Sequence, residues 1–157
     1  RDDIRNRVRI SDEEVQGLLR FVVRRPDGPQ VFYTVGRLLG RGQKGPWLMG
    51  HLPKGIQYIV VRRRVRRLLV SLFGRTIGGF AQGEFVIEGR SSLLVQADPG
   101  GGACQLLSGL SEEVISRTLG RPVSVDHTLC QGRGDDRCRW QAQSIPRSAE
   151  VVVTPSQ

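Results

Sequence analysis

The chain has 157 residues, 38% of them hydrophobic and 25% charged. That balance fits one compact domain and excludes a disordered tract and a membrane-embedded protein. No apolar run reaches the ~18–20 residues of a bilayer span, and no apolar leader follows Arg1-Asp2-Asp3. A start on Arg1 instead of Met leads us to expect a domain excised from a longer protein. Lys and Arg number 24 against 15 Asp and Glu, a formal charge of +9. Only Lys44 and Lys54 are lysines, and the other 22 basic residues are arginine. Such a surplus suits a polyanionic partner or reflects codon bias in a GC-rich genome, and it bears on association, not on fold.

Taken in chain order, Ser11-Asp12-Glu13-Glu14 reads as a capping box, with Val15, Leu18, Leu19 and Val22 following at helical spacing. Pro26-Asp27-Gly28-Pro29 makes a turn. Gln30 to Val35 alternates like a strand, and a helix continuing through Leu39 fits about as well. Gly40 to Lys54, broken by repeated Gly and Pro, reads as loop. Its Gly40-Arg41-Gly42-Gln43-Lys44-Gly45 has the spacing of a dinucleotide fingerprint without the strand, helix and acid that the fingerprint requires. Val61, Val65, Leu68, Leu69 and Leu72 fall on one face of a helix, with Arg62, Arg63, Arg64, Arg66 and Arg67 on the others and Gly74 as its stop.

Glu84 to Glu88 and Ser92 to Gln96 read as two strands joined by a hairpin at Gly89-Arg90. Pro99-Gly100-Gly101-Gly102 then breaks the chain, and its free amides could cradle an anion, although no P-loop lysine follows. Ala103, Leu106, Leu107, Leu110, Val114, Ile115 and Leu119 form a long apolar helical stripe closed by Gly120 and Pro122. Val123 to Leu129 and Cys138 to Gln143 read as paired strands around a Gly-rich turn, and the polar tail after Ile145 is expected to fray. This order predicts an α+β fold, an antiparallel sheet with helices packed on it.

Cys104, His127, Cys130 and Cys138 carry most of the chemistry. Thiolate and imidazole are the ligands of a tetrahedral zinc site, and four of them close it. The turn from Gln131 to Arg137, with Gly132 and Gly134, brings Cys130 and Cys138 together, and His127 precedes Cys130 by three positions. Three buried core thiols, or a Cys130–Cys138 disulfide in an exported protein, are the competing readings.

From Gly102 to Gln143 the sequence resembles the 4-vinyl reductase domain family. The family's hallmark is a cysteine at a helix start, then E-x-x-C, a glycine-containing seven-residue loop, and C. Cys104, Cys130 and Cys138 match the cysteines, Gly134-Asp135 matches the loop's Gly-Asp pair, and His127 stands at the usual glutamate position. In zinc-binding members, such as sensory domains of bacterial phenol-responsive activators, these four positions hold a structural zinc. The resemblance therefore implies zinc on Cys104, His127, Cys130 and Cys138. Imidazole for carboxylate keeps the coordination number and makes the site one unit less negative. A closed four-ligand site leaves no position for water, so this zinc would be structural.

The resemblance also implies a fold like that of vesicle-tethering subunits and a ligand cavity between helices and sheet, with Phe73, Phe80, Phe85 and Leu107 at the pocket. It divides the chain into an N-terminal helix and irregular segment (1–54), the family-like domain (55–145) and a polar tail (146–157). The implied function is to bind a hydrophobic or tetrapyrrole-like molecule as a sensory or delivery domain, working as a homodimer or with an attached effector domain. An assembly or trafficking scaffold, or an accessory subunit of a tetrapyrrole vinyl reductase, are the rivals.

No catalytic residue stands out. His127 belongs to the metal set, His51 sits in a Gly/Pro loop, and Asp135 and Asp136 read as turn formers, so an enzyme is disfavoured. Direct nucleic-acid binding is disfavoured too. The Arg62–Arg67 cluster would suit an anionic surface, or would be a solvated face neutralised by Glu84, Glu88 or Glu112. Reduced thiol ligands place the expected protein in the cytoplasm.

Overall fold

The structure, a computed structural model, describes residues 11–42, 52–73, 79–80, 85–90 and 93–144. Most of the expected loop around His51, the Gly74 stop, Glu84, Ser92, the tail after Ile145 and the side chains of Phe73 and Phe80 lie outside the described residues. Helix α1 (Asp12–Val23) starts as its sequence predicts. The Glu14 amide donates to Ser11 Oγ at 3.2 Å, and the Ser11 amide donates to Glu14 Oε2 at 2.8 Å. After a short turn comes α2 (Gly28–Gly40), with Pro29 in its first turn, where a missing amide hydrogen costs nothing. The strand-or-helix ambiguity of this segment resolves to helix: Phe32, Gly36 and Gly40 are buried while Thr34 and Leu38 between them are exposed, which strand alternation would not give.

Helix α3 (Lys54–Phe73) carries the arginine cluster. Strands β1 (Gly79–Phe80) and β2 (Val86–Gly89) follow. The expected strand over Ser92 to Gln96 is not formed: Leu93–Ala97 is a short helix, α4. The reason is topological. Both edges of β2 are already taken, by β1 on one side and β4 on the other, so no hairpin partner can form at Gly89-Arg90. A single helical turn instead buries Leu94 and Ala97 together. A 3₁₀ turn, Gly102–Cys104, leads into α5 (Gln105–Leu119), which ends on Gly120 at φ 66°. Strands β3 (Val123–Leu129) and β4 (Cys138–Ser144) complete an antiparallel sheet of order β1-β2-β4-β3. The fold is α+β, helices on a small antiparallel sheet.

α5 is the centre of the molecule, buried along most of its circumference. Against one side lies α2, running in the same direction and separated from it by glycine alone. A Cβ on Gly109 would stand 2.1 Å from the Tyr33 carbonyl oxygen, and one on Gly36 would stand 2.1 Å from that of Leu106. Backbone therefore meets backbone, and Glu113 and Glu112 fix the pair. Glu113 accepts from Arg37 at 2.8 Å and from Arg117 at 2.7 Å. Glu112 accepts from the Tyr33 hydroxyl and, at 3.2 Å, from the Val125 amide of β3. Burial beside this carboxylate pushes the Tyr33 phenol up to about 12.

Against the other sides lie α3 and the sheet. Val61, Val65 and Leu69 join Leu107, Leu110 and Val114 with Ile87, Val125 and Trp140 in one core. Phe32 of α2 belongs to the same cluster, and Leu19, Val22 and Val23 of α1 pack against it. No helix among the described residues is long and apolar enough to cross a membrane.

Two outcomes follow from the α2–α5 contact. Gly109→Ala is expected to lower stability by about 3 kcal/mol in urea unfolding, since the new methyl meets immovable backbone. Gly17→Ala, where nothing lies within 4 Å, is expected to raise it by about 0.5–1 kcal/mol. Burial alone would raise the pKa of Glu113, but hydrogen bonds from Arg117 and Arg37 outweigh it and hold the carboxyl below its ordinary value of 4.5. A depressed carboxylate stabilises the fold fully above that ordinary value, and the contribution is lost as pH falls through the folded-state value. Glu113→Gln is therefore expected to cost about 1–2 kcal/mol at neutral pH, the two guanidiniums being close to half exposed, and to flatten the acid limb of the stability–pH curve.

Candidate metal centre

Strand periodicity sets up the site. Val123, Val125 and His127 share the inner face of β3, and Cys138, Trp140 and Ala142 share that of β4. His127 stands opposite Trp140, and the two rings stack at 4.8 Å with 11° between planes. Cys130 has the wrong parity to join this face from a regular strand. A bulge between His127 and Leu129 supplies the extra residue that reverses the parity, and Cys130 turns inward. The return loop closes tightly: the amides of Arg133 and Asp135 both donate to the Cys130 carbonyl, and Gly134 takes φ 99°. Asp135, expected as a turn former, accepts the Cys130 amide on Oδ2 at 2.6 Å. The Gln131 amide points at Cys138 Sγ from 3.4 Å.

Cys104 arrives from the far side, on the 3₁₀ turn before α5. Asp98, itself buried, accepts from the amides of Gly100 (2.9 Å) and Ala103 (2.7 Å) and holds that turn in shape. The same bonds occupy the amides that an anion would need, so the glycine run is no phosphate cradle. Trp140 Nε1 donates to the Cys104 carbonyl at 3.2 Å and locks the turn to β4.

The structure thus brings together all four residues expected to bind metal. The ligand atoms of Cys104, His127, Cys130 and Cys138 lie within 4.8 Å of one another, a group suited to holding a metal ion. The three sulfurs belong to free cysteines, not to a disulfide, and each residue is at most 1% exposed. Burial, then the neighbouring Cys138 and Cys130, pushes the Cys104 thiol well up. Burial raises Cys138 as well, against the pull of the Gln131 amide. Burial, reinforced by the charge of Arg133, pushes His127 down to about 4, against the attraction of Asp135, so the imidazole is neutral near pH 7. Its Nε2 is buried without a hydrogen-bond partner. Three buried thiols beside an imidazole nitrogen with no hydrogen-bond partner form a donor set that a cation would satisfy.

The expected pocket residues fare differently. Phe85 and Leu107 sit in the core at 1% and 0% exposure, covered by protein on every side. The side chains of Phe73 and Phe80 are outside the described residues. Among the described residues, two open clefts lie elsewhere. One, of about 320 Å³, is lined by Val23, Arg25, Pro29, Phe32 and Asp98 among others, and the second lies beside Tyr33 and Gln105.

Three supports of the cluster escape a sequence reading: the bulge, Trp140 and Gly101. Gly101 has φ 78°, and a Cβ there would stand 2.5 Å from Cys130 Sγ. The Pro99-Gly100-Gly101-Gly102 run signals a break, but only the fold shows which sulfur the glycine must clear. No protein-family model and no curated protein matches this chain. Gly101→Ala is expected to push the Cys130 sulfur out of the cluster. Thiol alkylation of the folded chain should then accelerate at Cys130 at least tenfold, whereas all three thiols of the unaltered chain react slowly.

Proposed function

We propose that the cluster holds one structural zinc ion in a tetrahedral Cys₃His site, and that the chain is a small-molecule-binding domain, sensory or delivering, resembling the 4-vinyl reductase family. The observation that carries the metal reading is the meeting of four donors from three separate elements, with the His127 Nε2 otherwise orphaned. Sulfur and nitrogen donors in this number favour zinc over magnesium or calcium, which take oxygen. All four positions are filled by protein, so the ion's contribution is to tie the start of α5 to the open end of β3 and β4. Thiolate ligation would suit a reducing compartment and supports the cytoplasm as the protein's location.

Ligand binding rests on the family resemblance and on the layered build, in which α5 packs on both α3 and the sheet. A hydrophobic or tetrapyrrole-like molecule entering between these layers would favour one helix-on-sheet packing, and a second copy or an attached effector domain would read that packing. The closed packing of Phe85 and Leu107 favours the second reading, an assembly scaffold whose interior is filled by its own side chains.

Native mass spectrometry of the purified full chain tests both parts. One zinc per chain is expected, and Cys130→Ser should lose it together with at least about 3 kcal/mol of stability, roughly a 10 °C fall in Tm. A Cys130→Ser chain that melts like the unaltered one would overturn the metal site. A co-purifying organic mass that displaces on addition of free ligand supports the sensory reading, whereas a zinc-loaded chain with no organic mass supports the scaffold.

A further inference from the structure

Six exposed residues of α3 form one stripe: Ile56, Ile59, Arg63, Arg66, Arg67 and Val70, spaced three or four residues apart apart from the adjacent Arg66–Arg67 pair. The opposite stripe, Val61, Val65 and Leu69, is the one buried in the core. The outward stripe should be polar in a helix with no further contact, yet Ile56, Ile59 and Val70 are 45%, 47% and 41% exposed. The helix contains no acidic residue. No described carboxylate pairs with Arg63, Arg66 or Arg67. Glu88, one candidate to neutralise them, is held by Arg137 at 3.2 Å and Arg139 at 3.7 Å. Glu112, another, faces Tyr33 and Val125.

We infer that this face of α3 is a docking surface for an anionic lipid bilayer, which the helix meets lying flat. The charge and the chemistry of the stripe decide the partner. Three guanidiniums with no ion-pair partner among the described residues, on a chain of net charge +9, are complementary to phosphate and carboxylate headgroups. The branched aliphatic side chains between them match the acyl boundary just beneath, where an amphipathic basic helix buries its apolar residues. A nucleic acid would leave those aliphatics against water or phosphate, and the stripe offers no aromatic ring for a base to stack on. Twenty residues of helix give about 30 Å of contact length along the surface.

Co-sedimentation of the full, zinc-loaded chain with vesicles tests this. Binding is expected to phosphatidylcholine vesicles containing about 30% phosphatidylserine, and not to phosphatidylcholine alone. Arg66→Gln should weaken it roughly fivefold and the triple change at Arg63, Arg66 and Arg67 on the order of a hundredfold. Ile56→Ser with Ile59→Ser should weaken it roughly tenfold or more while leaving its salt dependence unchanged. All these positions are exposed, so zinc content and Tm are expected to stay at the unaltered values, and the single Arg66→Gln serves if a multiple variant fails to fold. Equal partition to both vesicle types, or none to either, overturns the inference. So does arginine-dependent binding indifferent to Ile56 and Ile59, the behaviour of a nucleic-acid surface, which an RNA duplex would reveal by competing.

Discussion

The position of Cys104 beside the open end of the β3–β4 pair is the constraint on which the rest of the molecule turns. The central helix starts there, and the sheet's inner face ends there. Every local device in the neighbourhood serves that meeting. Asp98 shapes the 3₁₀ turn, Gly101 makes room for the Cys130 sulfur, and Trp140 bonds the Cys104 carbonyl while stacking on His127. Four potential metal ligands are gathered there, the His127 nitrogen among them without a hydrogen-bond partner, an arrangement that a bound cation would stabilise.

The glycine contact between α2 and α5 plays the complementary part. It lets two helices approach until their backbones touch, which leaves no space for side chains to set their relative position. That task falls to Glu112 and Glu113, both linking α5 to α2, and Glu112 also accepts from the Val125 amide of the sheet. The acidic residues described here are largely used inside the structure or in local ion pairs. The arginine surplus is therefore left on the outside, and on α3 it coincides with aliphatic side chains that the core does not claim.

The metal set and the buried packing around Phe85 and Leu107 pull the functional reading in different directions. A Cys₃His set closed around an ion would be a fastener, holding the domain together without saying what the domain binds. Among the described residues the core around α5 is filled by its own side chains, so a guest entering there would displace them, and its entry and a change of helix packing would be the same event.

Local signals in the sequence were strong where a residue acts on its near neighbours. The Ser11–Glu14 box, the apolar stripes of α3 and α5, the Gly120 stop and the β3–β4 pair could all be read because each depends on contacts a few positions away. The four metal-set residues were legible from donor chemistry and from resemblance to a known family. Other features depended on distant parts of the chain. Residues 30–39 became helix because Phe32, Gly36 and Gly40 found α5, and residues 93–97 left the sheet because β1 and β4 had already taken both edges of β2. The inward turn of Cys130 needed a bulge that alternation does not announce. Side-chain type and spacing thus determined which groups could meet. Edge occupancy, backbone approach and strand parity decided which of them did, because those are properties of neighbours that the sequence does not place side by side.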